Sequence, residues 1–384
     1  MGKKEKGMDA DRLERLRLHF PVTEKMIYMD HAGIGPLTTD MVFAIQRRAE
    51  TVMEGGTRDV ANWLEDIQTS RAMYAELIGA RPEEIALINS TCEGVNIIAN
   101  GLAFGEGDNV VCADMEYPAN VYPWMNLKGR GVETRMVGSR GGRLEVSDIL
   151  GAVDGRTRVV ALSFVEFKNG FRNDVAAIGG ECRKRGVRFF VDAAQGLGAL
   201  SLDVEAMQID FLAAASKKWL LCPGGKGVLY IRHERLEELR VSTVGADSVV
   251  NAQDYLKYDL TFVGGARRFE GGMDDPLAYA STRAMLAMFS GLGMEFIEER
   301  VLELTDRLCE GLLRAGCELD SHRGEGEKSG IVSFHHPKVS SEELSKRLNR
   351  AKVAHTHRYE MIRLSPHFYN SEEEVDEVVR SVNR

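Results

Sequence analysis

Between Pro82 and Arg232 the chain repeats one pattern, a short β-rich apolar run followed by a helical or loop segment. The runs are Ile85–Ile88, Asn109–Cys112, Val159–Ser163, Arg188–Val191, Phe211–Ala215 and Gly227–Ile231. Between them lie Glu93–Leu102, Pro118–Gly129, Val146–Val153, Asp174–Arg185 and Val204–Gln208. Repeated strand–helix alternation with apolar strands marks a mostly parallel sheet covered on both faces, hence an α/β fold. Such a sheet binds ligands at the carboxyl ends of its strands.

After Pro276 the texture changes. Leu277–Phe289 and Gly293–Ala315 have helical periodicity, Gly330–Phe334 reads as a strand and Ser340–Lys352 as a helix. Met361–Ser365 reads as a strand, and Ser371–Val382 as a capped final helix with acids in its first turn. A tail of this kind is a second, α+β domain, expected over residues 276–384. A large domain is then expected over 36–275, with residues 1–35 packing against the small one. A length of 384 residues accommodates both.

With 44% hydrophobic and 28% charged residues the chain has the balance of a soluble protein. Its net charge of −9 gives nucleic-acid binding no electrostatic support. The basic start Met1–Gly7 runs into a polar stretch, not an apolar core, so neither a secretory signal nor a membrane span is expected. Cys92, Cys112, Cys182, Cys222, Cys309 and Cys317 contain no CxxC pair and suit reduced thiols in a cytoplasmic setting. The histidine pairs His335–His336 and His355–His357 lack the company a metal site needs, so no metal is expected.

Two strand ends carry the chemistry. Val187–Asp192 ends in Asp192-Ala-Ala-Gln195, and Phe211–Ala215 ends in Ser216-Lys217-Lys218-Trp219. A carboxylate that keeps a pyridine nitrogen protonated, with a lysine amine that forms a Schiff base with an aldehyde, suits pyridoxal phosphate. A lysine between two apolar runs is partly desolvated, which lowers its pKa and frees its amine. Taken singly, Asp192 also reads as a turn aspartate, Gln195 as a loop brace and the lysines as solvated. Asn89-Ser90-Thr91-Cys92-Glu93-Gly94 opens a helix directly after a strand. It reads as an anion site and equally as an ordinary N-cap. Tyr117 stands on a strand-end loop where an aromatic can stack on a flat ring, or simply pack. Arg267–Met273 puts arginines and paired glycines on a loop. Arg363 is a lone cation in an apolar strand, suited to a substrate carboxylate or to a salt bridge.

As a set, these motifs resemble the class V aminotransferase family of fold-type-I pyridoxal-phosphate enzymes, which includes cysteine desulfurases and isopenicillin N epimerase-like proteins. The similarity runs from Met26-Ile-Tyr-Met-Asp-His-Ala-Gly-Ile-Gly-Pro36 to Arg363-Leu-Ser-Pro-His-Phe-Tyr-Asn370, through Tyr117-Pro-Ala-Asn-Val-Tyr-Pro-Trp124 and Asn169-Gly-Phe-Arg172. The resemblance implies a large domain with a mostly parallel sheet of seven-stranded type. It casts Lys218 as the Schiff-base lysine, Asp192 as the pyridine-nitrogen partner and Gln195 as a contact of the phenolic oxygen. Thr91, Cys92 and the Glu93 amide fall at the phosphate, with Lys217 beside it, and Tyr117 falls on the ring. Gly272 and Met273 fall where the neighbouring subunit of a homodimer reaches the phosphate. Arg363, with Arg358, would grip the carboxylate of a small amino substrate. His31 is placed at the substrate, with His355 and His357 as further candidate acids.

Several positions depart from that pattern. Lys217 stands for the common histidine, Ser216 for glycine, Met273 for threonine and Phe167 for a cofactor-contacting asparagine. A desulfurase needs a mobile cysteine between the last two domain strands, and here that interval is Ala354-His-Thr-His-Arg-Tyr-Glu360. The reading that follows is a transaminase or a C–S or β-eliminating lyase, not a persulfide-forming desulfurase. The alternatives are an epimerase, or an altered member serving as a regulatory or structural dimer.

Overall fold

The computed structural model describes residues 10–254, 256–272 and 275–383. Its centre is a seven-stranded sheet of β1 (Ile85–Ile88), β2 (Asn109–Ala113), β3 (Glu133–Val137), β4 (Thr157–Ser163), β5 (Arg188–Asp192), β6 (Phe211–Ala215) and β7 (Gly227–Ile231). The order is β1-β7-β6-β5-β4-β2-β3, and β7 alone runs antiparallel to its neighbours. Six of these strands are the apolar runs of the sequence. The seventh, β3, escapes that reading because it is an edge strand, exposed over much of its length, whose polar residues match its solvation.

Alternation along each strand divides the core. Leu87, Val160, Val191 and Leu212 pack on one face, while Ala86, Val159, Phe190 and Phe211 pack on the other. The first face is covered by Val60–Ile78, Val175–Arg185 and Pro276–Leu292, the second by Thr91–Gly101 and the segment around Trp124. The helix Thr91–Gly101 comes close to β6 because residue 94 is glycine, where a Cβ would stand 2.7 Å from that of Ala213. Two of the intervening segments form no long helix. Val204–Gln208 forms turns held by the Asp203 carboxylate, which accepts the amides of Glu205 and Ala206. Prolines 118 and 123 break the segment after β2 into short 3₁₀ and α pieces.

A second sheet, ordered β10-β11-β9-β8 and wholly antiparallel, joins β8 (Glu318–Leu319), β9 (Val332–His335), β10 (Thr356–Arg358) and β11 (Met361–Leu364). It packs with Met294–Arg314, Ser341–Arg350 and Glu372–Asn383 through Leu308, Leu348, Ile362 and Val378. Near the other end of the chain, Ile27–Tyr28 pairs in parallel with Val353–Ala354. This brings the following loop, Asp30 to Gly35, between the C-terminal elements and the loop after β6: Asp30 bridges to Ser365 and the Gly35 amide donates to the Lys217 carbonyl at 2.7 Å.

Gly198 combines a φ of +102° with a virtual Cβ only 2.6 Å from the Trp219 carbonyl carbon. Gly198→Ala is therefore expected to cost at least about 2 kcal/mol, through backbone strain and overlap together. The midpoint of urea unfolding should fall with little change in its slope; an unchanged midpoint would show that the loop relaxes freely.

Candidate active site

Strands β4, β5 and β6 end side by side. Ser163 pairs with Asp192, and Asp192 with Ala213, so the chain leaving β6 brings Lys217 and Lys218 back over the carboxylate. These groups meet in a cavity of about 230 Å³ whose wall includes Thr91, Tyr117, Phe167, Asp192, Gln195 and Lys218.

Asp192 is buried and accepts the Ala194 amide at 2.9 Å on Oδ1. Among the described residues no side chain donates to it. Burial raises its pKa, against the smaller opposing effects of that amide and of Lys218. Burial likewise lowers the Lys218 amine to about 8, with Asp192 opposing the shift and Arg363 and Lys217 adding to it. The amine lies 5.4 Å from the centroid of the Tyr117 ring, and that ring meets Phe167 edge-on at 5.3 Å.

The lysine loop is anchored from behind. Buried Trp219 donates from Nε1 to the Gln195 Oε1 at 3.0 Å, and Gln195 donates in turn to the Ala32 carbonyl. His367 Nε2 contacts the Trp219 carbonyl at 2.8 Å. Ser216 is buried, with its hydroxyl 2.6 Å from that of Tyr74. Lys217 is exposed on the cavity wall.

At the start of Thr91–Gly101 the Ser90 hydroxyl caps the Glu93 amide at 3.1 Å, while Thr91 Oγ1 accepts the Ala215 amide. The Glu93 amide is thus committed to the cap, a correction to its expected place at an anion. The amides of Thr91 and Cys92 have no intrahelical acceptor and remain the outward donors of the helix. Cys92 is exposed on the cavity wall, whereas the other five cysteines are buried.

Four expected residues, His31, His355, His357 and Arg358, do not line the cavity. His31 is fully buried, with Nδ1 at 2.7 Å from the Ser365 carbonyl and Nε2 at 2.7 Å from the Tyr369 hydroxyl. Burial lowers its pKa to about 4, against the bond to Ser365, so it is a neutral core histidine and not a substrate contact. His355 is engaged by Ser345 and the Val353 carbonyl, and exposed His357 by Ser341. Arg358 is exposed on β10, and Gly272, whose expected place is the neighbouring subunit's site, is exposed. Met273 lies outside the described residues. Arg363 is largely buried. It donates to the Phe167 carbonyl at 2.7 Å and to Thr356 at 3.1 Å, lies 3.7 Å from Asp30, and keeps Nε without a partner.

The interval after Ala354 is not a loop but most of a hairpin. Arg358 pairs with Met361 across a two-residue turn whose Tyr359 and Glu360 have φ of 52° and 61°. The family model for class-V aminotransferases matches this chain over residues 27–378.

The chain belongs to the class-V aminotransferase family.

It is 27% identical to a probable cysteine desulfurase of Methanothermobacter thermautotrophicus, over 95% of this chain and 96% of that one. It is also 27% identical to the uncharacterized aminotransferase YcbU of Bacillus subtilis, over 96% and 97%. The apo structure of a cysteine desulfurase from Thermococcus onnurineus NA1 superposes with a TM-score of 0.88 at 25% identity, covering 96% and 97% of the two chains. Class-V aminotransferases depend on pyridoxal 5′-phosphate. The cavity fits that group: a buried carboxylate lacking a side-chain donor, an amine of lowered basicity, an aromatic face and a helix start with outward amides are gathered on one wall.

Neutral amine at Lys218 should appear with a midpoint near pH 8, well below that of an exposed lysine. Mass-spectrometric mapping of trace amine acylation against pH checks this; co-titration with surface lysines would refute the burial argument.

Proposed function

We propose that this family member acts on a small amino acid or amine, as a transaminase or a C–S or β-eliminating lyase, and works as a cytoplasmic homodimer. The observation that carries the reading is the half-buried Lys218 amine, of lowered basicity, in one cavity with the Asp192 carboxylate. When bound, pyridoxal phosphate supplies an aldehyde that takes up amines and a ring that draws electrons from bonds at Cα. Asp192 would hold the ring nitrogen's proton, and its burial with few donors makes a cationic N–H its natural partner. The outward amides of Thr91 and Cys92, with the Lys217 ammonium, would hold the phosphate. Tyr117 would lie against the ring, with Gln195 and Trp219 keeping the lysine loop in place.

Lys218 is suited to take and return the α-proton, because an amine with a pKa of about 8 is partly unprotonated near neutrality. Arg363, with its unpartnered Nε, is suited to orient the substrate carboxylate. Exposed Phe43 and Met53 on Thr39–Gly55, with Leu64 on Val60–Ile78, support a second copy covering this side.

The relatives named cysteine desulfurases raise sulfur transfer as a second activity. Against it stands the hairpin at Tyr359–Glu360, which carries no cysteine and has a two-residue tip. Cys92 is the exposed thiol at the cavity, and it stands at the helix start among the phosphate donors.

Pyridoxal phosphate should give the protein an absorbance band near the visible edge, and Lys218→Ala should lose it and at least about 10³-fold in turnover. A wild-type protein that takes up no cofactor would instead support a structural dimer. With cysteine as substrate, no protein-bound persulfide should form, and Cys92→Ser should leave sulfide release within about threefold of wild type. A persulfide mapped to Cys92 would sink the lyase or transaminase reading.

A further inference from the structure

Behind the Asp192 side of the cavity stand two more buried acids, Glu116 and Glu166. Their surroundings differ. Glu116 receives three donors: the Ser163 amide at 2.6 Å on Oε1, and on Oε2 the Ser163 hydroxyl at 2.6 Å and Asn120 Nδ2 at 2.9 Å. Glu166, wholly buried, receives one side-chain donor, Asn173 Nδ2 at 2.8 Å on Oε1, and its Oε2 has no partner. The same Asn173 amide group donates to the Ser163 carbonyl at 2.9 Å. Ser163 is the β4 residue paired with Asp192, and it lines the cavity. A chain of contacts therefore runs from Glu166 through Asn173 to Ser163 and Glu116, directly beside Asp192.

No lysine, arginine or histidine among the described residues forms an ion pair with Glu166. The charged or titratable groups that act on it are Glu116, Asp192 and Asp114, all acids. Glu116 in turn faces Asp192 and the Cys112 thiol, and Lys218 is the cation that acts on Asp192. Burying a carboxylate with one donor, an empty lone-pair site and like-charged neighbours strongly disfavours its charged form, as for any unpaired buried ion. The neutral acid avoids that penalty and still accepts from Asn173.

We propose that Glu166 is a neutral carboxylic acid that positions Asn173 and Ser163 behind Asp192, its lack of charge leaving Asp192 free to ionise toward the cavity. Burial acts in the same direction, raising Glu166 well above the ordinary carboxyl range and Glu116 to about 8. The backbone of Glu166 also ties the turn that presents Phe167, accepting from the Gly170 amide and donating to the Phe171 carbonyl, each at 2.9 Å. Glu166 is thus a positioning residue for the cofactor-side carboxylate, and this role rests on the pyridoxal-phosphate reading of Asp192.

Infrared difference spectra of the full-length protein, wild type against Glu166→Gln near pH 7, test the charge state directly. The expected result is loss of a protonated-carboxyl C=O band with the ionised-carboxylate bands unchanged. Loss of carboxylate bands instead would overturn the proposal. The measurement is made without cofactor and again with pyridoxal phosphate, so failure of cofactor uptake is seen separately from failure of this assignment. With cofactor bound, the amide imitates the neutral acid, and the pH midpoint of the visible band should stay in place in Glu166→Gln. A downward move of about one pH unit, the tenfold change expected on removing a like charge from a buried site, would also overturn it. Should Glu166→Gln not fold, the acid band of the cofactor-free Glu116→Gln, Asp192→Asn double variant is titrated instead, since it removes the two buried acids beside Glu166. Persistence of that band above neutrality supports the assignment, and its disappearance by about pH 6 ends it.

Discussion

The hydrogen-bond ladder from β4 through β5 to β6 sets where each cavity group can stand. Parallel register puts Ser163 beside Asp192 and Asp192 beside Ala213, so three chain segments leave the sheet at one level. Lys218 is the third residue past the end of β6, and its loop returns because Leu221 adopts a φ of 55° and the Cys222 amide closes on the Ser216 carbonyl. A slip of one residue in β6 would turn Leu212 and Ala214 to the opposite face and carry the amine away from the carboxylate. The apolar faces that forbid such a slip therefore also hold the chemistry in register.

Around this ladder the protein controls charge mainly by excluding water. Asp192 and Lys218 are pushed toward neutrality by burial while each favours the charge of the other, so a cofactor's own charges decide the outcome. Behind the lysine, His31 and His367 are buried, and both are held well below the ordinary histidine range. Their rings pack with Trp219 and Tyr369, a polar but uncharged support that fixes the loop without competing with Asp192 for the amine.

What the sequence reveals and what it hides follow from the same physics. Buried strands announce themselves because both faces are apolar, and Asp192 and Lys218 stand out as polar residues at the ends of such strands. The edge strand β3 and the amphipathic helices Thr39–Gly55 and Val60–Ile78 carry weaker signals, since much of their surface meets solvent. Glu116 and Glu166 were invisible as site residues: a buried acid and a surface acid look alike until a fold surrounds them. His31, which the resemblance places at the substrate, is drawn under Ser365 by the pairing of Ile27–Tyr28 with Val353–Ala354. The Gln195 amide has Oε1 engaged by Trp219 and Nε2 by Ala32, the loop brace that the sequence allowed beside a cofactor contact.

The turn at Tyr359 and Glu360 holds two non-glycine residues in the left-handed region, with paired strands on both sides. Two residues of chain span about 7 Å at full extension, and here both are spent on reversing direction. The tip has no slack with which to swing inward, pick something up and swing out. On the function proposed above, that stiffness means the product leaves the cavity as a free molecule and is not handed over on this hairpin.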